Sequence, residues 1–283
     1  MKIGGIDIGS RYIKYVILND NKFVAFYKKE TGHNPFEVCR KLMEMNKPNN
    51  LIATGYGRHL LEIHGNVNTI TEIKAAAIGS KEVFPSCRTI IDIGGQDTKV
   101  IAVNKDGVVT NFEMNDRCAA GTGKFLEIMA KTLGFNIESF GYQCNGNGGD
   151  DIKINSMCTV FAESEVIGLI AKGIKRELIA TAIHNSIAGR VIALIKRIDL
   201  NDDIVFTGGC ARNPYLQKLF ENRFRTKIHV HENPDMLAAL GAALYAGREG
   251  YRAGALPGLQ NQYDGVKRKA VVKATIHSAP DSL

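Results

Sequence analysis

The feature that most constrains the fold is a strand–turn–strand segment that occurs twice. Residues 6–17 (IDIGSRYIKYVI) align without gaps with residues 91–102 (IDIGGQDTKVIA), at an offset of 85 residues. An aspartate, a glycine and a lysine occupy the same places in both copies. Each copy has the pattern of an apolar strand, a tight glycine turn and a returning strand. Because a repeat in register indicates a repeated structural unit, the sequence predicts two related α/β lobes.

Both copies carry residues suited to binding phosphate and a divalent cation. A glycine turn lets backbone N–H groups approach a phosphate closely, and an aspartate at a strand end can hold Mg²⁺, usually through water. Asp7 and Asp92 are therefore the predicted Mg²⁺ residues. Two such hairpins that face each other would hold a triphosphate from both sides.

A third glycine segment lies further along the chain. An apolar run at residues 203–207 leads into Gly208-Gly209, and a helix is predicted to begin near Pro214. The glycines would let an adenine and a ribose lie against the backbone. Taken alone, this segment fits an ordinary strand-to-helix turn equally well.

The two phosphate hairpins and the later glycine pair together resemble the acetate kinase, sugar kinase, heat-shock-70 and actin superfamily over residues 1–247. The resemblance implies an α/β, two-lobed actin-like ATPase fold of duplicated ribonuclease-H-like domains, with nucleotide in the interlobe cleft. We expect a first lobe at residues 1–85 and a second at 86–247, with the C-terminal helix a candidate to return to the first lobe. Residues 248–283 form a tail that departs from the pattern, and a docking extension, a disordered end and added sequence all remain open for it.

Two further motifs carry cysteines 40 residues apart, at Cys118 in NDRCAAGTGKF and at Cys158 in SMCTVFAESEV. Each cysteine is predicted to stand at the start of a helix, with Asn115 or Asp116 as a cap for the first. Helix N-termini lower the pKa of a thiol, and thiolates bind iron or zinc. Two cysteines cannot complete a four-cysteine [4Fe–4S] site, but a symmetric dimer can, with one cluster on the two-fold axis. Buried core thiols are the alternative interpretation.

These two cysteine motifs and the string IIDIGGQDTKV closely resemble the ATPases that activate 2-hydroxyacyl-CoA dehydratases, a family that includes the ATP-binding subunits of benzoyl-CoA reductase. The resemblance implies a homodimeric, oxygen-sensitive iron–sulfur ATPase with ATP or ADP, Mg²⁺ and one [4Fe–4S] cluster per homodimer. It also implies that ATP changes the angle between the cluster-bearing helices, so that an electron passes to an iron–sulfur dehydratase or reductase partner. An external low-potential donor, such as ferredoxin or flavodoxin, would supply that electron.

The same resemblance assigns roles to residues at the matching positions. Cys118 and Cys158 would be the cluster ligands. The nucleotide residues fall into a first phosphate site, a second phosphate site and an adenosine turn: Asp7, Gly9, Ser10 and Lys14; Asp92, Gly94, Gly95, Gln96 and Asp97; and Gly208 and Gly209.

Three details of these roles follow from physical argument. Gln96 and Asp97 lie where a side chain can orient the attacking water. Lys99 matches Lys14 in the repeat, but we expect it to be a solvated strand lysine. The residues after Cys118, which are Gly121, Thr122 and Gly123, are expected to contact phosphate, so that one element touches both nucleotide and cluster.

Charge and hydropathy exclude other classes of protein. The formal net charge is +7, but residues 248–283 carry six Lys or Arg against three Asp or Glu, and no aromatic-studded basic patch is visible. We therefore expect no nucleic-acid partner. No segment approaches the ~18–20 apolar residues that cross a bilayer, and the N-terminus lacks the layout of a signal peptide. We expect no membrane partner and a cytoplasmic protein with reduced thiols.

Two other functions remain open from the residues. A small-molecule kinase of the same superfamily could use Asp97 as its catalytic carboxylate, and a cluster-free regulatory ATP-binding protein would need no cysteine ligands. The kinase interpretation leaves the two cysteine motifs unexplained. The remaining residues of interest are assigned to packing, turns or open roles: Cys39, Cys87 and Cys210 as core or loop thiols, His184 as a core or solvated histidine, Cys144 as a loop thiol whose role as an extra ligand is open, residues 54–58 as a plain turn or a contact near the partner, and Glu72 as a residue facing the dimer or the nucleotide.

Overall fold

A computed structural model describes residues 1–20, 22–144, 152–154, 158–198 and 200–254, with side chains described to residue 248. The chain divides into two compact units. One comprises Met1–Pro85 and the chain from Met236 onward, and the other comprises Ser86–Asp235. The second lobe therefore ends earlier than the expected residue 247, because the C-terminal helix packs in the first unit. Residues 255–283 of the tail lie outside the described residues.

The first unit is built on a mixed sheet. Its elements are β1 (Lys2–Ile8), β2 (Tyr12–Asn19), β3 (Lys22–Glu30), α1 (Pro35–Met45), β4 (Asn50–Thr54), α2 (Arg58–Gly65), β5 (Asn68–Thr69), α3 (Glu72–Val83) and, from the C-terminal end, α8 (Leu237–Gly254). The strand order is β3-β2-β1-β4-β5. β1 and β3 pair antiparallel with β2, and β4 runs parallel to β1 and β5.

The second unit repeats this plan. Its elements are β6 (Thr89–Ile93), β7 (Thr98–Val103), β8 (Val109–Asn115), α4 (Gly123–Thr132), α5 (Thr159–Ala171), α6 (Arg176–Ile195), β9 (Ile204–Thr207), α7 (Pro214–Phe224) and β10 (Ile228–His229), with short 3₁₀ helices at Ile137–Gln143 and Gly209–Arg212. The strand order is β8-β7-β6-β9-β10. It matches that of the first sheet strand for strand, which confirms the prediction of two related α/β lobes.

The repeat also holds at the level of residue pairing. Asp7 lies opposite Lys14 across the β1–β2 hairpin, and Asp92 lies opposite Lys99 across the β6–β7 hairpin. These strands are buried along nearly their whole length. Because each strand pair shares one register, both aspartates come to the end of a central strand, beside a glycine turn.

Two helices of the first unit cross at glycines. A Cβ atom at Gly79 of α3 would lie 1.9 Å from the Leu237 carbonyl oxygen, and one at Gly241 of α8 would lie 1.8 Å from the Ala75 carbonyl oxygen. α8 also covers β1 at Gly5, where a Cβ would lie 2.1 Å from the Ala239 carbonyl oxygen. The close contacts explain why α8 belongs to the first unit.

Among the described residues, α6 is the one helix that is long and apolar enough to cross a bilayer by length and composition. No such segment was expected from the sequence. However, 56% of that window is buried inside the second unit. The helix packs against α4, α7 and β7. This burial is the pattern of a core helix.

Candidate nucleotide site and cysteine motifs

The first phosphate hairpin presents a buried carboxylate and an exposed tip. The ammonium Nζ of Lys14 lies 2.8 Å from Asp7 Oδ2, and Asp7 is only 3% exposed. Its other oxygen, Oδ1, is buried and has no hydrogen-bond partner among the described residues. The Thr31 hydroxyl donates to the Gly9 carbonyl oxygen at 2.7 Å and fixes the turn, whereas Ser10 is exposed.

The second hairpin also pairs its lysine with a carboxylate. Lys99 Nζ pairs with Asp97 Oδ1 at 2.8 Å, and Lys99 is 2% exposed. The prediction of a solvated strand lysine is therefore wrong, because the ion pair provides a partner for a buried ammonium. The Gly94 N–H donates to the Asp97 carbonyl oxygen at 2.9 Å and closes the turn, and Gln96 is exposed.

Each of the two aspartates, taken within its own unit, has the chemistry of a residue that binds Mg²⁺ through water. Asp7 and Asp92 are both buried at strand ends, and carboxylate oxygens are the donors that Mg²⁺ binds through water. A buried carboxylate oxygen without a hydrogen-bond partner is costly, so Asp7 Oδ1 is chemically suited to a cation or its water shell.

The turn predicted to bind adenosine follows β9, and α7 begins at Pro214, where the helix was predicted to begin. Gly208 has a φ of +83°, and a Cβ there would lie 2.4 Å from Asp92 Oδ1. A Cβ at Gly209 would meet no atom within 4 Å, so the backbone there is open. The turn is held by the Pro234 carbonyl oxygen, which accepts from the Thr207 hydroxyl and, at 3.3 Å, from the Gly208 N–H.

Cys118 lies in a loop before α4 rather than at its start. The helix begins at Gly123 with Thr122 as its N-cap, so the predicted helix start at Cys118 and the predicted cap by Asn115 or Asp116 are wrong. The Asn115 amide instead donates to the carbonyl oxygens of Cys118, at 3.0 Å, and Ala120, at 3.1 Å. Asn115 thereby fixes the loop that carries the cysteine.

The second phosphate turn is bonded directly to the start of α4. The Gly123 N–H donates to the Gly94 carbonyl oxygen at 2.9 Å, and the Lys124 N–H donates to that of Gly95 at 2.8 Å. Thr122 is buried, and both its N–H and its hydroxyl donate to the Ala119 carbonyl oxygen. These donors are all bonded inside the protein, and the backbone N–H groups of Gly123 and Lys124 hold the phosphate turn.

The cysteines differ in how exposed their side chains are. Cys158 is exposed and is the N-cap residue of α5, as expected, and Cys118 is half-buried. Burial raises the pKa of Cys39 and Cys210 to about 12, and Cys87 is also buried. No group of three or more His, Cys, Asp or Glu within the described part of the chain could hold a metal ion. The two motif cysteines suit thiolate ligation, but they need donors from elsewhere to complete a site.

A buried network around His184 was not predicted. His184 Nδ1 lies 2.7 Å from the Ala180 carbonyl oxygen and 3.2 Å from Cys144 Sγ, and its Nε2 lies 2.9 Å from Asn213 Nδ2. The Asn213 Oδ1 accepts the N–H groups of Tyr215 and Leu216 at the start of α7, which directs Nδ2 toward the ring. His184 Nε2 therefore accepts, and the proton resides on Nδ1.

This network has a structural role. Burial lowers the pKa of His184 to about 4 and raises that of Cys144 to about 12, so both groups are neutral at pH 7. A neutral histidine links Cys144 to the residue that caps α7, directly after the adenosine turn. No local pattern in the sequence marks this contact, since Cys144 and His184 lie 40 residues apart.

Comparison with known proteins gives the family. Residues 5–246 match the model of the BadF/BadG/BcrA/BcrD ATPase family. The chain belongs to this family. It is 40% identical over 251 residues to a 2-hydroxyisocaproyl-CoA dehydratase activator of Clostridioides difficile, covering 86% of this chain and 93% of that protein. It is 39% identical to an (R)-2-hydroxyglutaryl-CoA dehydratase activating ATPase of Acidaminococcus fermentans, covering 86% and 95% of the two chains.

Solved structures place this member of the BadF/BadG/BcrA/BcrD ATPase family in the same fold. The Clostridium difficile dehydratase activator with bound ADPNP has a TM-score of 0.79 at 39% identity, covering 89% of this chain and 97% of that one. MreB5 of Spiroplasma citri bound to AMPPNP has a TM-score of 0.54 at 14% identity, covering 90% and 99%. The second likeness shows the fold alone. The predicted actin-like ATPase fold and the resemblance to dehydratase-activating ATPases are both confirmed.

Proposed function

We propose that this chain is an ATP-hydrolysing activator that transfers low-potential electrons to a 2-hydroxyacyl-CoA dehydratase or a benzoyl-CoA reductase-like partner. Relatives about 40% identical over most of the chain are named as activators of such dehydratases. The observation that carries the proposal is the pair of hydrogen bonds that the first N–H groups of α4 donate to the carbonyl oxygens of the second phosphate turn. They connect the predicted nucleotide site to the loop of Cys118 within one unit.

The nucleotide residues take roles that suit their surroundings. Asp7 and Asp92 hold the hydrated Mg²⁺, and Lys14 offsets negative charge beside Asp7. Exposed Gln96 orients the attacking water, whereas Asp97 is held by its ion pair with Lys99. The remaining contacts come from backbone: Gly9 and Ser10 at the first turn, Gly94 and Gly95 at the second, and Gly208 and Gly209 at the adenosine.

Cys118 and Cys158 from each of two chains hold one [4Fe–4S] cluster, which supplies one-electron transfer when bound. Two features of α5 support a homodimer at this place. Cys158 begins the helix, and Val160, Phe161 and Ile167 beside it are 67%, 69% and 54% exposed. Large exposed apolar side chains in one place mark an interaction surface. Ferredoxin or flavodoxin supplies the electron, and the protein works in the cytoplasm.

The test is anaerobic purification followed by iron and sulfide determination and visible spectra. We expect about four irons per dimer for the natural chain, and loss of that iron in both Cys118→Ser and Cys158→Ser. Cys39→Ala is the control, because Cys39 is buried in the core of the first unit and should leave iron binding intact. A colourless monomer with full ATPase activity would contradict the proposal.

A further inference from the structure

The internal repeat extends to a third strand that the two hairpins alone do not include. Thr54, the last residue of β4, pairs with Asp7, and Thr207, the last residue of β9, pairs with Asp92. Each threonine is followed by a glycine with positive φ, +89° at Gly55 and +83° at Gly208. The first unit therefore has a counterpart of the adenosine turn.

The two turns approach their aspartates in the same way. A Cβ at Gly55 would lie 2.3 Å from Asp7 Oδ1, and a Cβ at Gly208 would lie 2.4 Å from Asp92 Oδ1. Positive φ and close approach both exclude other residues at these positions. The turn after β4 therefore packs against Asp7 near the end of β1, just as the turn after β9 packs against Asp92 near the end of β6.

Local contacts hold this turn against the end of β1. The Gly57 N–H donates to the Ile8 carbonyl oxygen at 2.9 Å, and a Cβ at Gly57 would lie 2.5 Å from Ile8 Cγ2. Arg58, the first residue of α2, is half-buried, and its Nη1 donates to the Gly55 carbonyl oxygen at 3.2 Å. The guanidinium is thus fixed to the same glycine that covers Asp7.

The two turns differ in what holds their arginine. Arg212, which ends the adenosine turn, pairs with the carboxylate of Asp235 at 2.8 Å. Arg58 donates instead to a carbonyl oxygen, and this neutral acceptor does not offset the positive charge of the guanidinium. A guanidinium held near a phosphate turn suits a phosphate group, because its planar donors match phosphate oxygens.

We propose that the turn Gly55–Arg58 is a nucleotide-contacting element of the first unit and that Arg58 binds the terminal phosphate of ATP. Gly55 positions Asp7 by close packing, and Asp7 Oδ1, buried and without a hydrogen-bond partner among the described residues, faces the turn. The inference rests on the proposed function, which places nucleotide phosphates at Gly9 and Ser10 of the same unit. It adds a residue that distinguishes a triphosphate from a diphosphate.

The test is calorimetric titration of the full chain with ADP and with ADPNP, both in Mg²⁺. For Arg58→Gln we expect ADPNP to bind at least tenfold more weakly, with ADP affinity within about threefold of the natural value, because a charge-assisted contact to one phosphate is lost. Arg40→Gln is the matched control, since Arg40 is an exposed arginine of the same unit that pairs within α1. It should change neither affinity.

A second pair of variants tests the glycine. Gly55→Ala should weaken binding of both nucleotides, whereas Gly32→Ala should not. Gly32 also has a positive φ, +59°, but a Cβ there meets no atom within 4 Å. Both substitutions carry similar backbone strain, so the difference between them reports the close approach of Gly55 to the Asp7 carboxylate and the Ile8 backbone.

Thermal melting of each variant without nucleotide separates folding from binding. If Arg58→Gln does not fold, Arg58→Lys replaces it, with a smaller but still selective loss for ADPNP. Equal effects on ADP and ADPNP, or no effect on either, would overturn the inference. Failure of the natural chain to bind either nucleotide would contradict the proposed function instead.

Discussion

At the scale of single residues, His184 combines complete burial with a defined proton position. Its ring contacts Phe140 and Tyr215, with centroids 4.7 Å and 5.6 Å away. The titratable groups that face it are Cys144 and Tyr215. A protonated ring would place hydrogen on Nε2, opposite the amide Nδ2 of Asn213, which also donates. The network therefore requires a neutral imidazole.

This requirement predicts a pH dependence of stability. The pKa of His184 is about 4 in the folded chain, against an ordinary value near 6.5 in the unfolded chain. Between these values the unfolded state binds more protons, so stability is present above pH 6.5 and is lost as pH falls toward 4. We expect the free energy of unfolding of the second unit to drop by about 2 kcal/mol between pH 7.5 and pH 5.

Urea unfolding at the two pH values measures this drop. His184→Phe removes the titrating group and should reduce the pH dependence, although its overall stability is lower. His33→Gln is the control, because His33 is exposed in a loop and should leave the dependence unchanged. An equal drop in the free energy of unfolding in the natural chain and in His184→Phe would show that His184 does not titrate as described.

At the scale of elements, the crossing of α3 and α8 depends on glycines at the two contact positions. Gly79 and Gly241 each lie against backbone atoms of the other helix, and backbone cannot move aside as a flexible side chain can. Glycine lowers helix propensity by about 1 kcal/mol relative to alanine. The close packing must therefore offset that cost at both positions.

Two glycine-to-alanine substitutions should have opposite effects on stability. Gly241→Ala adds a Cβ 1.8 Å from the Ala75 carbonyl oxygen, and we expect a loss of about 3 kcal/mol from overpacking. Gly189→Ala in α6 adds a Cβ with no atom within 4 Å, and we expect a gain of about 0.5–1 kcal/mol from helix propensity. Thermal melting of both variants shows directly whether each substitution raises or lowers stability. A Gly241→Ala chain as stable as the natural one would mean that the helices separate readily.

Some elements could be predicted from sequence because their signals are local. The two hairpins, the helix at Pro214 and Cys158 at the start of α5 each follow from a few adjacent residues. The return of α8 to the first unit was a candidate from the resemblance and is confirmed, but the glycine and backbone contacts that hold it leave no hydrophobic pattern in the sequence. The α4 start was misplaced because Asn115 bonds to loop carbonyls. The burial of Lys99 depends on a partner, Asp97, whose place in the first copy is taken by Tyr12.

The turn after β4 carries a short sequence signal of its own. The dipeptide Thr-Gly occurs at the end of β4, at residues 54–55, and again at the end of β9, at residues 207–208. Two residues are too few to identify a repeat by themselves. The strand pairing with Asp7 and Asp92 is what makes the two places equivalent.

At the scale of the whole molecule, the proposed function requires that the state of the nucleotide reaches the cysteines. The second unit offers a short backbone route for this. The Gly94-Gly95 turn bonds to the first residues of α4, and the loop before α4 carries Cys118. Gly121 lies in that loop with a φ of +94°, and its carbonyl oxygen accepts from the Thr98 hydroxyl at 2.7 Å.

Gly121→Val should therefore uncouple nucleotide hydrolysis from electron transfer. A β-branched residue is strained at positive φ, and a Cβ at Gly121 would lie 3.1 Å from Arg190 Cδ, so we expect the loop between the phosphate turn and Cys118 to shift. We expect iron content and ATPase activity within about twofold of the natural protein but at least a tenfold loss in reductive activation of the partner, because each tenfold step needs only about 1.4 kcal/mol. Gly173→Val, with φ of +76° and no atom within 4 Å of its Cβ, is the control. If Gly121→Val still activates the partner at the natural rate, the backbone route through α4 does not carry the coupling.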